Sequence, residues 1–272
     1  MPDIRDEIDP EQRREFLNRA VELALEIRRM VRVKMQSGFQ ISQKSDQSVV
    51  TTVDTEIERL FRHEINGNYP FHGVIGEEFP PTNPNAEFQW IIDPIDGTEE
   101  FVHNIPVFGT VIGLYFKGKP LVGIIEHPAL ELCVSGAFGF GAFCNGKKIN
   151  ISDGKSDRIK RAERICIAPR SSFLKFVDQG FLFDRIARDF PNLRIFHSCY
   201  AYTCAILGSV DAMVEYHVHI WDLAASQILI EEAGGKYVSL PEFQSPAGDI
   251  LYGAIFGRPG IVKKLVPYFH PC

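Results

Sequence analysis

The chain lacks the features that would direct it to membranes or nucleic acids. No run of 18 apolar residues occurs, so no segment is long enough to form a transmembrane helix. Basic residues are not in excess, since 29 Lys and Arg stand against 35 Asp and Glu in 272 residues, a net charge of −6. Nucleic acids and anionic membrane surfaces attract basic faces, so we expect neither as a partner. The polar N-terminal segment has no signal-peptide core.

The cysteines lack the spacing of a disulfide framework. None of the six stands in a Cys-x-x-Cys pair, and several lie within apolar runs, such as ERICIAP around Cys166. We therefore predict reduced, buried thiols in a cytoplasmic protein. The chain is 45% apolar and 24% charged, which is ordinary for a globular protein with a substantial core.

Two amphipathic helices are predicted first. Asp9 and Pro10 suit the N-cap and the first helical position, and apolar residues then recur with a 3.6-residue period until Gly38, which suits the end of a helix. A second helix is expected to follow Thr51 or Thr52 and to end near the Asn-Gly-Asn stretch.

The remaining pattern predicts an α/β (α+β) chain in two domains. Residues 73–150 contain short β-rich runs broken by turns, which indicate an antiparallel meander with helices on one side. From about residue 155 strands and helices alternate, which indicates a second α/β layer. The predicted helices of this half are 173–190, 199–208 and 222–235. The polar stretch 150–161 is the expected boundary between a domain of residues 1–150 and one of residues 151–272.

The segment WIIDPIDGTEEF contains the most informative arrangement of charge. An apolar run delivers Asp93, the following proline stiffens the turn, and Asp96 is expected to point back toward Asp93. Gly97 permits tight backbone geometry, and Thr98 can begin a helix whose first N–H groups suit a phosphate. One segment therefore offers carboxylates to a hard cation and backbone donors to an anion.

Each acidic stretch also has an ordinary interpretation. An Asp-rich turn often caps a helix, the Gly-Glu-Glu stretch around Glu77 could be an exposed loop, and Asp222 could be an N-cap. The spacing excludes an EF-hand. Glu77 and Asp93 nevertheless both follow apolar strands. Converging carboxylates would repel by about 4 kcal/mol per pair at ~4 Å and an effective dielectric constant of ~20. We therefore expect a divalent metal among them.

His217 and His219 offer an alternative site, because they share one face of a predicted strand and would suit zinc. The oxygen ligands typical of Mg²⁺ already account for the acidic site. Packing, or lining the rim of the cleft, is therefore the favoured interpretation of the two histidines.

The order of these segments resembles the inositol monophosphatase family, a branch of the lithium-sensitive, magnesium-dependent phosphomonoesterases. The segments that carry the resemblance are SVVTTVD (48–54), VIGEE (74–78), WIIDPIDGTEEF (90–101), GAFCNG (141–146) and WDLAASQILIEEAGG (221–235). It implies a phosphoric monoester hydrolase with a layered αβαβα sandwich of the inositol monophosphatase/fructose-1,6-bisphosphatase type. It also implies a homodimer with two or three Mg²⁺ ions per active site and a small phosphate monoester as substrate.

Position by position, the resemblance implies a set of metal ligands. Glu77, Asp93 and the backbone carbonyl of Ile95 correspond to ligands of a first Mg²⁺. Asp93 would bridge to a second Mg²⁺, completed by Asp96 and Asp222. Glu77 would also face a third, weaker metal.

The same comparison implies the catalytic and substrate residues. Asp54 and Thr98 resemble the pair that orients the attacking water, and Gly97 and Thr98 would donate backbone N–H groups to the phosphate. Glu215, seven residues before Asp222, matches a contact to a substrate hydroxyl. No covalent intermediate is expected, because the metals can activate water without a protein nucleophile. The acidic residues without a ligand role, expected to be solvated near the cleft, are Glu78, Glu99 and Glu100.

The substrate-side segment departs from the inositol-specific pattern. Residues 196–202 read FHSCYAY where inositol-specific members have a Gly-Thr-Ala-like stretch. CYAY and IPVFGT resemble the histidinol-phosphate phosphatases instead, whereas GTEEF resembles the nucleotide 3′-phosphatases. We expect His197, Ser198 and Glu215 to contact the substrate. Tyr200 and Tyr202 could offer flat faces to an imidazole or could belong to the core.

The predicted substrate is a small polyol or amino-alcohol phosphate, with inositol 1-phosphate and histidinol phosphate ranked level. A nucleotide 3′-phosphatase and a fructose-1,6-bisphosphatase are alternatives. Both would require a basic pocket for a second phosphate, and no clustered Lys/Arg motif suggests one. A catalytically silent regulatory or binding relative is the alternative from another class. Such relatives usually lose a metal carboxylate, whereas this chain keeps them all.

Overall fold

A computed structural model describes residues 3–44, 47–151, 163–176 and 178–269. Most of the expected boundary at 150–161 lies outside the described residues, as does Cys272. The α-helices are α1 (Pro10–Ser37), α2 (Thr52–Asn68), α3 (Thr98–Val102), α4 (Gly180–Asp189), α5 (Ser198–Ile206), α6 (Ile220–Leu223), α7 (Ser226–Glu232) and α8 (Pro259–Leu265). The strands are β1 (Ile41–Gln43), β2 (Val49–Thr51), β3 (Gly73–Gly76), β4 (Phe88–Asp96), β5 (Gly109–Phe116), β6 (Lys119–His127), β7 (Leu132–Ala137), β8 (Gly141–Cys144), β9 (Lys147–Lys148), β10 (Arg164–Ile167), β11 (Asn192–Arg194), β12 (Ala212–Val218), β13 (Lys236–Ser239), β14 (Phe243–Gln244) and β15 (Ile250–Gly257).

Local capping chemistry fixes the ends of the first two helices, and both predictions are confirmed. The Asp9 side chain accepts a hydrogen bond from the backbone N–H of Glu11, and α1 ends at Gly38, whose φ is +90°. Thr51 caps α2 and accepts from Val53 N–H, while Asp54 accepts from the backbone N–H of Thr51. This capping box holds Asp54 at the first turn of α2.

A seven-stranded sheet in the order β3-β4-β5-β6-β7-β8-β9 forms the centre of the first half. β3 pairs with β4 in parallel, and the other neighbours are antiparallel. The prediction that helices lie on one side of this sheet is wrong, because helices cover both of its faces. Trp90 and Ile92 pack among α1 and α2, whereas Ile91 packs among α5 and α7. β4 is apolar at successive positions because it is buried on both faces.

The second sheet completes a five-layer arrangement. Its order is β11-β10-β12-β15-β13, and β14 pairs with β15. α5 and α7 lie between the two sheets, and α4 and α8 pack on the outer face of the second sheet. From α1 and α2 to α4 and α8, the layers are therefore αβαβα, which confirms the predicted fold class.

Two predicted helices are interrupted. The helix predicted at 173–190 begins only at Gly180. Phe173 is buried in a preceding 3₁₀ turn and stacks on Tyr216, with ring centroids 4.9 Å apart. The helix predicted at 222–235 is broken between α6 and α7. A methyl group on Gly113 would lie 2.5 Å from the Ala224 carbonyl oxygen, so the chain at the break packs directly onto the sheet.

The described residues bear on two further predictions, which concern disulfides and transmembrane helices. All five described cysteines are unpaired thiols, and four of them are buried. Among the described helices, none has the length and apolar character needed to cross a membrane.

Candidate metal centre and active site

An irregular strand end brings two carboxylates to the same side of the sheet. Asp93 pairs with Val111 and Asp96 with Gly109, and the register shifts between the two pairs. The Thr110 hydroxyl donates to the Pro94 carbonyl oxygen at 2.7 Å and holds the bulge, in which β4 has one residue more than β5. A regular strand would send residues three apart to opposite faces, so this bulge is what lets both aspartates face one site.

Asp222 reaches the same point from the second half of the chain. It occupies the third position of α6, where its Oδ2 accepts a hydrogen bond from the backbone N–H of His219 at 2.6 Å. Asp93, Asp96 and Asp222 each offer a carboxylate oxygen, and these three atoms all lie within 4.8 Å of one another. Within the described residues, this is the one group of three or more potential ligands that meets this criterion.

The oxygens of this centre have the properties of a cation site. Asp93 Oδ1 and Asp96 Oδ2 are buried, and neither has a hydrogen-bond partner among the described residues. Burial and the neighbouring carboxylates raise the pKa of Asp93 and Asp222 well above their usual range, and burial raises the pKa of Asp96 to about 8. Hard divalent cations prefer such oxygen ligands, so the residues present fit Mg²⁺. Within the part of the chain that the structure describes, no such group of ligands includes His217 or His219. The Nδ1 atom of His217 lies 3.1 Å from the Ser172 carbonyl oxygen, and the His219 ring stacks on the Trp221 ring.

Glu77 borders the three aspartates, and its charge contributes to the raised pKa of Asp93. It is held by Lys44, whose Nζ lies 2.7 Å from Glu77 Oε1 and 2.8 Å from Glu78 Oε1. The expectation that Glu78 is solvated is wrong, because its side chain is 5% exposed and burial raises its pKa to about 7. No sequence pattern pointed to Lys44, which lies outside every acidic motif.

A buried carboxylate sets the turn that carries the two glutamates. Glu58 of α2 accepts from the backbone N–H of Glu78 at 2.7 Å and pairs with Arg62. A methyl group on Gly76 would lie 2.2 Å from Glu58 Oε1. The glycine before the two glutamates therefore allows Glu58 to approach the turn, a supporting residue that sequence reasoning missed.

The expected water-orienting pair lies together. Thr98 Oγ1 is 3.4 Å from Asp54 Oδ1 and 3.1 Å from the Ile95 carbonyl oxygen. A hydroxyl has one proton, so it can donate to one of these oxygens and accept from a water. Burial raises the pKa of Asp54 to about 6, opposed by hydrogen bonds from Thr51. Gly97 is the N-cap of α3 and has a φ of +91°, which glycine adopts readily.

The expected substrate side divides into a buried part and a rim. Glu215 is buried and accepts hydrogen bonds from the Tyr202 hydroxyl and the Tyr216 backbone N–H, both at 2.9 Å. Burial raises the pKa of Glu215 to about 7. Tyr202 is fully buried, so the structure favours its interpretation as a core residue rather than an exposed stacking face. Tyr200 packs edge-on against Phe196.

The rim includes a residue that sequence reasoning set aside. His197 is the N-cap of α5 and Ser198 is its first residue, and both face Glu100 of α3. The Glu100 side chain is 17% exposed, so the expectation that it is solvated is wrong, whereas Glu99 is exposed as expected. Nothing in the local pattern distinguishes the two glutamates, because their difference depends on α5.

Comparison with known proteins places this geometry among phosphatases. The family model described as "Inositol monophosphatase family" matches residues 12–254. The chain is 33% identical over 222 residues to a histidinol-phosphatase of Mycobacterium tuberculosis, covering 77% of this chain and 81% of that protein. It is 32% identical over 233 residues to human inositol monophosphatase 2, covering 81% and 79%. The structure of an IMPase from Thermotoga maritima matches with a TM-score of 0.76 and 25% identity, covering 94% and 96%.

Proposed function

The chain belongs to the inositol monophosphatase family of phosphatases, and we propose that it is a magnesium-dependent phosphomonoesterase acting on a small polyol or amino-alcohol phosphate. The observation that carries this proposal is the convergence of Asp93, Asp96 and Asp222. Buried oxygens without protein donors at Asp93 and Asp96 support it, because a divalent cation would supply their missing partner.

We assign the metal ligands as the family pattern implies. Asp93 would be shared by two ions, one also held by Glu77 and the Ile95 carbonyl and the other by Asp96 and Asp222. Bound Mg²⁺ would neutralise the phosphate, lower the pKa of water and stabilise the leaving alkoxide. A third, weaker ion at Glu77 is part of the proposal.

The chain's own groups have separate tasks in this proposal. Asp54 Oδ1 orients the Thr98 hydroxyl, and that hydroxyl positions the attacking water. The backbone N–H groups of Gly97 and Thr98 hold the phosphate. Glu215 would accept a hydrogen bond from the alcohol, or pair with its ammonium group, and Tyr202 keeps the Glu215 carboxylate in place.

The metal assignment is tested by phosphate release from 4-nitrophenyl phosphate with and without EDTA. The purified protein should release no phosphate in EDTA and should regain activity after Mg²⁺ is added. Asp93→Asn removes the charge shared by both ions and should abolish activity, whereas Glu99→Gln, which changes an exposed neighbour, should not. Activity of Asp93→Asn within tenfold of the unmutated protein would contradict a shared ligand. Lithium inhibition at millimolar order is expected from the family.

The substrate is tested by a panel at fixed Mg²⁺. We propose that inositol 1-phosphate and histidinol phosphate both exceed fructose 1,6-bisphosphate and adenosine 3′,5′-bisphosphate in kcat/KM. A bisphosphate needs a basic group for its second phosphate. Lys44 at this site is already paired with Glu77 and Glu78, which supports the proposed order. A hundredfold preference for either bisphosphate would contradict the proposal.

We further propose a cytoplasmic homodimer, as membership of the family implies. Light scattering coupled to size-exclusion chromatography should then give a mass of about twice the chain mass of 30.7 kDa. A monomeric mass at micromolar concentration would contradict it.

A further inference from the structure

A carboxylate without a role in the family pattern lies at the rim of the proposed active site. Glu100 belongs to α3, two residues after Thr98. Its Oε2 is 3.5 Å from Ser198 Oγ, and its Oε1 is 3.9 Å from His197 Nδ1. These contacts join the segment after the acidic motif to the start of α5, where the substrate-side residues are expected.

Glu100 lies beside Gly97, the glycine assigned to the phosphate. A methyl group placed on Gly97 would lie 2.6 Å from Ser198 Oγ and 3.1 Å from Glu100 Oε2. Both side chains therefore lie against the residue whose N–H we assign to the phosphate. If the phosphate binds at Gly97 as proposed, the alcohol part of the ester would extend beside the Glu100 carboxylate.

The surroundings leave the charge of Glu100 weakly compensated. Among the described residues, the basic side chain within 4 Å of its carboxylate is His197, at 3.9 Å, and the His197 side chain is 59% exposed. An exposed pair at this distance contributes little. The carboxylate itself is 17% exposed, so it has also lost most of its contact with water. A partly desolvated carboxylate in this state favours a cation or a strong donor supplied by a ligand.

We propose that Glu100 is a specificity-determining residue that favours phosphate esters whose alcohol carries a protonated amine near the ester. Ser198 Oγ and His197 position the carboxylate. Substrates with a second negative charge at that position are disfavoured by repulsion. The inference rests on the proposed phosphatase function and deepens it, because it says which alcohols the site selects.

Three two-carbon esters of nearly equal size provide the test: 2-aminoethyl phosphate, 2-hydroxyethyl phosphate and 2-phosphoglycolate. They place an ammonium, a hydroxyl or a carboxylate at the same distance from the phosphate. At saturating Mg²⁺ the unmutated protein should rank them in that order by kcat/KM. A charge-assisted hydrogen bond contributes enough for an advantage of about tenfold to a hundredfold for the amine over the hydroxyl.

Glu100→Gln and Glu99→Gln form a matched pair of variants, because they remove the same charge from adjacent residues. Glu100→Gln should reduce the advantage of the amine at least fivefold, mainly through KM, and should improve 2-phosphoglycolate. Glu99→Gln should leave all the ratios within about twofold. Glu100→Asp, which keeps the charge, should retain part of the preference.

The outcomes separate this inference from the function on which it rests. No Mg²⁺-dependent hydrolysis of any phosphate monoester by the unmutated protein would contradict the proposed function. Hydrolysis in which the amine has no advantage would overturn the role of Glu100 alone, and this result needs no variant to fold. An equal loss for all three esters in Glu100→Gln would also overturn it, because it would indicate a merely structural residue.

Discussion

Replacing Asp96 by asparagine should stabilise the metal-free protein at pH 8 and remove most of its stabilisation by Mg²⁺. The ligand oxygens of Asp93, Asp96 and Asp222 lie within 4.8 Å of one another. At that distance two full charges repel by about 3.5 kcal/mol at an effective dielectric constant of ~20. In the metal-free protein this repulsion favours the protonated carboxyl groups, and the pKa values of all three aspartates are accordingly raised.

The pKa of Asp96 gives the sign of the pH dependence. It rises from 3.8 to about 8 on folding, so the folded protein holds a proton that the unfolded chain releases. Stability is then lost as the pH rises from about 4 to about 8. A shift of about four units at ~1.36 kcal/mol each gives an upper limit of about 6 kcal/mol, and we expect about 2–4 kcal/mol. At pH 5 the difference between Asp96→Asn and the unmutated protein should be small.

Urea unfolding at pH 5 and pH 8, first in EDTA and then in Mg²⁺, measures these quantities. At an Mg²⁺ concentration of about 100 times Kd the unmutated protein should gain about 2.7 kcal/mol, and Asp96→Asn should gain much less. Glu99→Gln, which removes an exposed carboxylate, should have the same unfolding free energy as the unmutated protein under all these conditions. Lower stability of Asp96→Asn in EDTA at pH 8, or a full gain from Mg²⁺ in this variant, would contradict the prediction.

Three further changes test other parts of the site. Thr98→Ala should lower kcat by about 10²-fold, as expected for lost help with proton transfer, while the rise in unfolding midpoint with Mg²⁺ persists; an equally large loss of Mg²⁺ affinity would give Thr98 a different role. Tyr202→Phe removes the donor to Glu215 and should cost about 1–3 kcal/mol of unfolding free energy. That cost should be greater at pH 8, where Glu215 is ionised, than at pH 5, and equal costs at both pH values would argue against an ionised acceptor. Gly109→Ala would place a methyl group 2.6 Å from the Glu126 carbonyl oxygen and 2.7 Å from Cys199 Sγ. Because Gly109 pairs with Asp96, this variant should lose about 1–3 kcal/mol as well as activity, and unchanged unfolding and turnover would show that the strand can move aside.

The amino-acid sequence by itself predicted those features that depend on neighbouring residues. The capping of α1 by Asp9 and of α2 by Thr51 follows from local backbone chemistry. The turn expected between Asp93 and Asp96 is instead a bulge within β4, because its geometry depends on the pairing with β5. The five-layer fold came from the resemblance, and the alternation of strands and helices agreed with it. The helix predicted at 222–235 is broken between α6 and α7, where the chain packs directly onto the sheet, and no periodicity within the segment reveals that contact.

Only the tertiary structure decided which side chains meet across long stretches of chain. Lys44 pairs with Glu77 over 33 residues, and Glu100 lies beside Ser198 over 98. Tyr202 is buried against Glu215 because α5 packs between the two sheets. Local pattern reports which face of an element is apolar, but it does not report which other element covers that face. The polar contacts that set the charge and the selectivity of this site arise where the layers pack, so the fold rather than the local sequence determines them.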